Sequence, residues 1–194
     1  MIGRAVQNNK LKVSKLYNLL LHRDKVQYAF VIWCNLSVPK HRFILWQATL
    51  RHLLTRDNLL KCQLCLPSVL CPICELHQES HDHLFFQCKF SQLLRSKVAA
   101  WLGCAIWPVH LNDWVDWMVG KPKCLQQKLL ATGLAAAVYF IWWNRYNCIF
   151  NLCSVSVNAV FALLQNCLKA RLENLHRFKL KRKDVAFLEK VHFL

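Results

Sequence analysis

The sequence predicts a mainly α-helical fold, because of its composition and the spacing of its apolar residues. The chain of 194 residues contains four glycines and five prolines, which is few for a fold with many tight turns. Hydrophobic residues make up 55% of the chain, so a globular protein with a sizeable core is expected. Apolar side chains recur every three or four residues in several segments, which is typical of helices that bury one face.

The first half of the chain contains two segments with helical spacing, 11–22 and 40–54. The second follows Pro39, which ends a dense apolar run and favours a helix start. Thr55 and Asp57 then offer side chains that can cap a short helical turn. The residues expected on the buried face of 40–54 are Phe43, Trp46, Leu50 and Leu54.

Four residues between positions 71 and 88 have the types and spacing of a metal site. Cys71 and Cys74 form a Cys-x2-Cys pair, and His83 and Cys88 form a His-x4-Cys pair a short loop later. Zinc favours four soft or borderline ligands in a tetrahedron, and a tight turn lets a Cys-x2-Cys pair place both sulfurs on one ion. The sequence therefore predicts one structural zinc ion held by these residues, with Leu84, Phe85 and Phe86 anchoring the His83 ring.

Other residues nearby could replace members of this ligand set. Cys62 and Cys65 form a second Cys-x2-Cys only five residues before Cys71, although a site using both cysteine pairs would need an unusually short turn between them. His77 and His81 also lie inside the loop, so spacing alone leaves the identity of the histidine ligand open. Free cysteine is, moreover, an ordinary buried apolar residue.

Two further helical patterns and one long apolar run follow the zinc loop. Residues 91–102 are predicted to be a helix that packs Leu94, Val98 and Trp101 toward the core. The uncharged run 129–144 holds sixteen residues, short of the ~20 that span a bilayer, so it is predicted to be a buried helix and not a membrane span. Residues 155–175 are amphipathic, with apolar residues at Val160, Leu163, Leu164, Cys167, Leu168 and Leu172.

The net charge is +16, from 26 basic and 10 acidic residues. Such an excess favours an acidic partner, and RNA or DNA is the first candidate because phosphate neutralisation releases counterions. The zinc loop itself carries Glu75, Glu79 and Asp82, which are expected to repel phosphate, so binding is assigned to the basic residues on either side. The candidate residues are Lys40, His41, Arg42, Lys179, Lys181, Arg182 and Lys183.

The segments PKHRFILWQATLRHLLTRDNL, CPIC, HDHLFFQC and AVYFIWWNRYNCIF together resemble the zinc-binding domain that follows the reverse transcriptase of plant LINE-type retrotransposons. The resemblance covers roughly residues 26–151 in one order and spacing. It implies a zinc-stapled helical module from a retrotransposon open reading frame. The resemblance also implies that the four metal positions named above are the ligands.

Two positions depart from this family pattern. Glu75 stands where the family often has glycine, and it would be strained if the turn needs a positive φ. The family often has an acidic residue and an arginine after the tryptophan of the last helix, whereas this chain has Asn144 and Arg145 after Trp143.

These patterns divide the chain into four parts. They are an N-terminal helical extension (1–25), a zinc-binding domain (26–120, with its zinc loop at 71–88), a buried apolar helix that completes that domain (121–151), and an amphipathic helix with a basic tail (152–194).

No catalytic function is expected. Four protein ligands leave no position on zinc for water, and the Tyr-x-Asp-Asp sequence and paired carboxylates of polymerase and ribonuclease H sites are missing. No small-molecule substrate is indicated. MIGRAVQNNKLKVSK lacks the apolar core of a secretory signal, so an intracellular place, nuclear or cytoplasmic, is expected. The alternative to a nucleic-acid-binding module is a domesticated or decaying remnant that folds around zinc and binds no nucleic acid.

Overall fold

The computed structural model describes residues 6–7, 10–21, 28–104, 110, 113, 116–117, 124–173 and 182–190. Over these residues the backbone is mainly helical, which confirms the predicted fold class. The elements in chain order are β1 (Val6–Gln7), β2 (Lys10–Leu11), α1 (Val13–Leu21), α2 (Ala29–Ile32), α3 (Pro39–Thr49), α4 (Arg56–Lys61), a π-helical turn (His83–Gln87), α5 (Lys89–Trp101), α6 (Leu125–Phe150), α7 (Val157–Glu173) and α8 (Arg182–Lys190).

The N-terminal elements pack little of their apolar surface. β1 and β2 form a two-stranded antiparallel pair with Val6 opposite Leu11. α1 lies within the predicted segment 11–22, but its Val13, Tyr17 and Leu20 are 72%, 63% and 62% exposed. The apolar face of α1 is therefore largely free of contact with the described part of the chain.

α3 begins at Pro39, as the sequence predicts. The preceding Val38 is extended, and the fixed φ of proline suits the first helical position. The predicted buried face is wrong, because Phe43 is 51% exposed and Leu54, beyond the helix end, is 55% exposed. α3 instead packs on α6 through His41, Leu45 and Ala48. Both faces of α3 carry apolar residues, so periodicity alone could not distinguish them.

α6 is the central element of the core. As predicted for the run 129–144, ten consecutive residues, Leu129 to Val138, are buried, and so is Ile141. α6 contacts α2, α3, α5, α7 and α8. Gly133 permits the close approach of α5, because a Cβ atom there would lie 2.6 Å from Cδ1 of Leu102.

None of the described helices is long and apolar enough to cross a membrane. In α6 the buried stretch ends in polar side chains, since Asn144, Arg145 and Asn147 are also buried. The middle of the helix is thus enclosed by protein, whereas Tyr146 and Phe150 near its end are exposed.

α5 and α7 cover one side of α6 and also contact each other. In α5 the predicted core residues Leu94 and Val98 are fully buried. In α7 the side chains that face the core are Val160, Leu164, Leu168 and Leu172, whereas Leu163 is 43% exposed. The amphipathic pattern therefore predicts most of the buried face of α7.

Asn144 fixes the turn from α6 into α7. Its Oδ1 accepts a hydrogen bond from the Val155 N–H at 2.9 Å, and its Nδ2 donates to the Val155 carbonyl oxygen at 3.3 Å. An aspartate could accept the first bond but could not donate the second. This pair of bonds gives a physical reason for asparagine at this position.

His41 is not part of a basic surface, which corrects the prediction from sequence. Its ring is 1% exposed and is stacked on Tyr139 of α6, with ring centroids 4.3 Å apart. Burial, together with the charges of Lys40 and Arg171, lowers the pKa of His41 to about 4. The imidazole is therefore uncharged near neutral pH and cannot serve as a cation for phosphate.

Candidate metal centre

The structure brings together the four residues predicted to bind metal. Each of Cys71, Cys74, His83 and Cys88 offers one ligand atom, and these atoms all lie within 4.8 Å of one another. The Cys74 Sγ and the His83 Nε2 are 3.3 Å apart. Cys71 and Cys88 are fully buried and His83 is 5% exposed. Four such atoms converging on one point fit a tetrahedral metal site.

The Cys-x2-Cys half of the centre is a tight loop. The Cys71 N–H donates to the His77 carbonyl oxygen at 2.7 Å, and Leu70 pairs with Gln78 across the loop. The Cys88 thiol and burial raise the pKa of Cys71, and the backbone N–H groups of Cys74 and Ile73, directed at its sulfur, act to lower it. Donors aimed at the sulfur favour its thiolate form, which is the form that binds metal.

Glu75 occupies the turn that closes this loop. Its N–H donates to the Cys71 carbonyl oxygen at 2.8 Å, and its φ is 56°. This is the left-handed region, where residues with a Cβ atom are disfavoured and glycine is not. The strain expected from the sequence is therefore present at Glu75.

Glu75→Gly is expected to raise the free energy of unfolding of the zinc-loaded chain by about 0.5–1 kcal/mol, because it relieves this strain. Urea unfolding followed by circular dichroism measures the effect. Leu76→Gly is the matched control, since Leu76 is 75% exposed and does not have a positive φ. Leu76→Gly should destabilise the chain, and a destabilisation by Glu75→Gly as well would contradict the strain argument.

The His-x4-Cys half is built on a π-helical turn, His83–Gln87, whose wide hydrogen bond joins the Cys88 N–H to the His83 carbonyl oxygen at 2.7 Å. The extra residue in this turn returns the chain to the metal centre at Cys88. Leu84, Phe85 and Phe86 are all buried. Their anchoring of the His83 ring stays a prediction, since the ring contact of Phe85 is with His81, at a centroid distance of 6.1 Å.

Cys88 is also the residue that precedes α5. After the interaction with the Cys71 thiol, the backbone N–H groups of Phe90 and Ser91, in the first turn of α5, also act to lower the pKa of Cys88. A helix N-terminus carries a partial positive charge that stabilises a thiolate. The first turn of α5 therefore favours the metal-binding form of Cys88.

The thiols of Cys71 and Cys88 are both buried and interact with each other. This interaction, followed by burial, raises the pKa of Cys71, and the same interaction lowers the pKa of Cys88. Burial, followed by the nearby His77 ring, lowers the pKa of His83. A neutral imidazole is the form that binds metal, so the surroundings of His83 suit a ligand.

The alternative ligands do not join the group. Cys62 and Cys65 are exposed. The Nδ1 of His81 lies 3.1 Å from the hydroxyl oxygen of Thr55, and this bond holds the ring apart from the four ligand atoms. Among the described residues, a set of three or more Cys, His, Asp or Glu side chains close enough for one metal occurs only at Cys71, Cys74, His83 and Cys88.

A buried ion pair, not predicted from the sequence, joins the zinc loop to α6. Glu79 is 1% exposed, and its Oε1 accepts from the Arg145 Nε at 2.6 Å while its Oε2 accepts from Nη2 at 2.9 Å. Glu79 Oε2 also accepts the Arg56 N–H at the start of α4, and Arg145 donates to the Leu54 carbonyl oxygen. The pair thereby ties α4, α6 and the loop together. The available signal was that Arg145 stands in a motif that carries the resemblance, AVYFIWWNRYNCIF.

The carboxylates of the zinc loop are therefore less repulsive to phosphate than the sequence suggested. Glu79 is buried against Arg145, and Asp82 accepts two hydrogen bonds from Arg51 at 2.9 and 3.0 Å. Glu75 stays exposed. Two of the three acidic side chains are thus paired with arginine.

The residues predicted to contact nucleic acid occupy different environments. Lys40 is exposed at the start of α3, with its Nζ 4.8 Å from the centre of the Tyr139 ring. Arg42 is half-buried, and its Nε is buried without a hydrogen-bond partner. Arg182 and Lys183 are exposed at the start of α8. Lys179 and Lys181 lie outside the described residues.

The donor set fits zinc in particular. Three thiolates and one imidazole are soft or borderline ligands, which zinc prefers over the oxygen ligands that suit Mg²⁺ or Ca²⁺. With Zn²⁺ the formal charge is −1, and the N–H groups directed at Cys71 and Cys88 offset part of it. Four protein ligands complete the tetrahedron, so such a site stabilises a fold.

Comparison with known families gives the same chemistry. A family model described as zinc-binding in reverse transcriptase matches residues 11–94. No curated protein and no solved structure matches the chain. The matched segment contains the four gathered side chains and ends within α5, so it leaves out α6. Residues 11–94 therefore match the zinc-binding family of reverse transcriptases, and one zinc ion is the cofactor that this match and the four-residue centre indicate together.

Proposed function

We propose that this chain is a non-catalytic zinc-binding module from the reverse transcriptase open reading frame of a plant LINE-type retrotransposon, and that it contacts RNA or DNA through its basic surface. The observation that carries the proposal is the convergence of four ligands within a segment that matches reverse-transcriptase zinc-binding sequences. Because all four positions around the metal belong to protein, the zinc holds the fold together and activates no water.

The LINE-type origin is supported by sequence motifs that continue past the matched segment. The motif AVYFIWWNRYNCIF, in α6, belongs to the resemblance with plant LINE elements. Arg145 of this motif forms the buried ion pair with Glu79 of the zinc loop. Because the arginine of this motif pairs with a carboxylate of the zinc loop, we expect the motif and the loop to occur together in one protein.

Nucleic-acid binding is supported by charge. The net charge of +16 is large for a chain of this length. Lys40, Arg182 and Lys183 are exposed, whereas two acidic groups of the zinc loop are neutralised by arginine. A surface of this kind attracts the phosphates of RNA or DNA by counterion release.

A salt series tests the proposal. The affinity of the zinc-loaded chain for a fluorescent 12-nucleotide RNA is measured by anisotropy at increasing KCl concentration. We expect log K to fall linearly with log[KCl]. Lys40→Gln should make this slope shallower by about 0.7, and the double change Arg182→Gln with Lys183→Gln should do so by about 1.4, if each cation neutralises one phosphate of a single strand.

Lys61→Gln is the matched control. Lys61 is exposed, but its Nζ lies 3.6 Å from Asp57, so it should neutralise no phosphate and its loss should leave the slope unchanged. Equal slopes in all variants would refute binding through the predicted residues. Absence of binding by the zinc-loaded wild type would refute the proposal and favour a remnant that folds around zinc without engaging nucleic acid.

A further inference from the structure

Three aromatic side chains at the surface of α2 and α3 form a cluster that is only partly covered. Trp33, which ends α2, is 48% exposed, and Phe43 of α3 is 51% exposed. Both rings pack against the half-buried ring of Trp46, with centroid distances of 6.1 Å for Trp33 and 5.9 Å for Phe43. We refer to Trp33, Phe43 and Trp46 as the aromatic platform. Because about half of the Trp33 and Phe43 surface is exposed, apolar ring surface is available for stacking.

Two cations lie beside the aromatic platform. Lys40 is exposed three residues before Phe43, so the two side chains are neighbours along one face of α3. Arg171 of α7 donates to the carbonyl oxygens of Asn35 and Leu36, just after Trp33, at 3.3 and 3.0 Å. Both bonds are to neutral carbonyl groups, and within the described part of the chain Arg171 forms no ion pair with a carboxylate.

The positive charge at this place is also evident from its effect on neighbouring groups. Burial and the charges of Lys40 and Arg171 lower the pKa of His41. Burial raises the pKa of Cys167 of α7, and the same two cations oppose that rise. Among the described residues, no carboxylate contributes to the pKa shift of either group. The aromatic platform is therefore bordered by a positive field.

We propose that the aromatic platform stacks unpaired bases of a single-stranded nucleic acid, while Lys40 and Arg171 neutralise phosphates of the same strand. This inference rests on the proposed nucleic-acid function and adds the place and the kind of strand. Exposed aromatic faces beside cations are the combination that binds single strands with little sequence preference, since every base has a π-face. A duplex stacks its bases on one another, so they cannot reach the platform, and the strand must be unpaired.

The test compares 12-nucleotide oligouridylate, oligodeoxythymidylate and a blunt RNA duplex, by anisotropy with the zinc-loaded full chain. We expect Trp33→Ala and Phe43→Leu each to weaken binding of a single strand about 5- to 150-fold, with the dependence on salt unchanged. Phe43→Leu retains an apolar side chain and removes the ring, so it separates stacking from simple apolar contact. Equal affinity for the two single strands would indicate that the protein contacts only bases and phosphates. Tighter binding of the RNA strand would indicate that it also contacts the 2′-hydroxyl groups.

Tyr146→Ala is the matched control. Tyr146 is 50% exposed and pairs with exposed Phe150 near the end of α6, so it removes an equally open ring elsewhere. Zinc content and the circular dichroism of each variant establish that it is folded. Binding by Tyr146→Ala should equal that of the wild type.

Several outcomes would overturn the inference. If the wild type binds RNA with the expected salt dependence and Trp33→Ala and Phe43→Leu bind equally well, the aromatic platform has no role, while the basic-surface function stands. If the wild type binds the RNA duplex as tightly as the single strands, the aromatic platform likewise has no role, and the basic-surface function stands. If the substitutions leave RNA binding intact and abolish self-association in sedimentation, the platform is an interface between copies of the chain. If the wild type binds neither strand, the inference and the proposed function fail together.

Discussion

Cys71→Ser is expected to abolish zinc binding and cooperative folding of the chain. The binding free energy of a structural zinc ion is largely folding free energy, on the order of 10 kcal/mol or more in zinc-finger peptides. A natural domain has only about 5–15 kcal/mol of stability in total, so the loss of the ion should leave no stable fold. Cys74→Ser, His83→Ala and Cys88→Ser are expected to behave alike. Zinc content by mass spectrometry and thermal unfolding of each purified chain measure the effect.

The second cysteine pair provides the control. Cys62 and Cys65 are exposed and lie outside the gathered group, so Cys62→Ser and Cys65→Ser should each retain one zinc ion and the wild-type melting temperature. Zinc retained after substitution of Cys71 or Cys88, or zinc lost on substitution of Cys62, would show that a different ligand set holds the ion.

Arg145→Met is expected to lower the free energy of unfolding by about 3–5 kcal/mol, because it leaves the carboxylate of Glu79 buried without its counter-charge. Both partners are almost fully enclosed, with side-chain exposures of 7% for Arg145 and 0% for Glu79. Methionine approximates the length of the arginine stem, so the main loss is ionic. Urea unfolding of the zinc-loaded chain measures it.

The exposed ion pair between Arg51 and Asp82 of the same loop serves as the control for the buried pair. Arg51 and Asp82 are 2.9 Å apart, with side-chain exposures of 58% and 37%. Arg51→Met should therefore cost no more than about 1 kcal/mol. In a double-mutant cycle, Glu79→Gln combined with Arg145→Met should cost less than the sum of the two single changes. Equal costs for Arg145→Met and Arg51→Met would indicate that the buried pair does not join α6 to the zinc loop energetically.

The candidate ligands could be predicted from sequence because their chemistry and spacing are local. A Cys-x2-Cys turn places two sulfurs on one ion whatever surrounds it, and the following His-x4-Cys supplies the remaining two ligands. Spacing could not choose between His81 and His83. That choice depends on Thr55, whose hydroxyl binds His81 from a position 26 residues earlier in the chain.

Contacts between segments that are far apart in the chain could not be predicted from the sequence. The partner of Glu79 lies 66 residues later, and a carboxylate in a polar loop ordinarily indicates a solvated side chain. The buried face of α3 was wrongly assigned for a related reason. Apolar residues occur on both of its sides, and the position of α6 decides which side is enclosed.

The sequence by itself determined the helical class, the long buried helix, the four candidate ligands and the strong positive charge. These follow from composition, from the 3.6-residue period and from ligand chemistry, all of which act over short distances in the chain. Tertiary structure alone decided that Glu79 and Arg145 neutralise each other, that His41 is uncharged in the core, and that Trp33 and Phe43 stay open beside Lys40. The physical reason is that burial and electrostatic pairing depend on which distant segment covers a side chain.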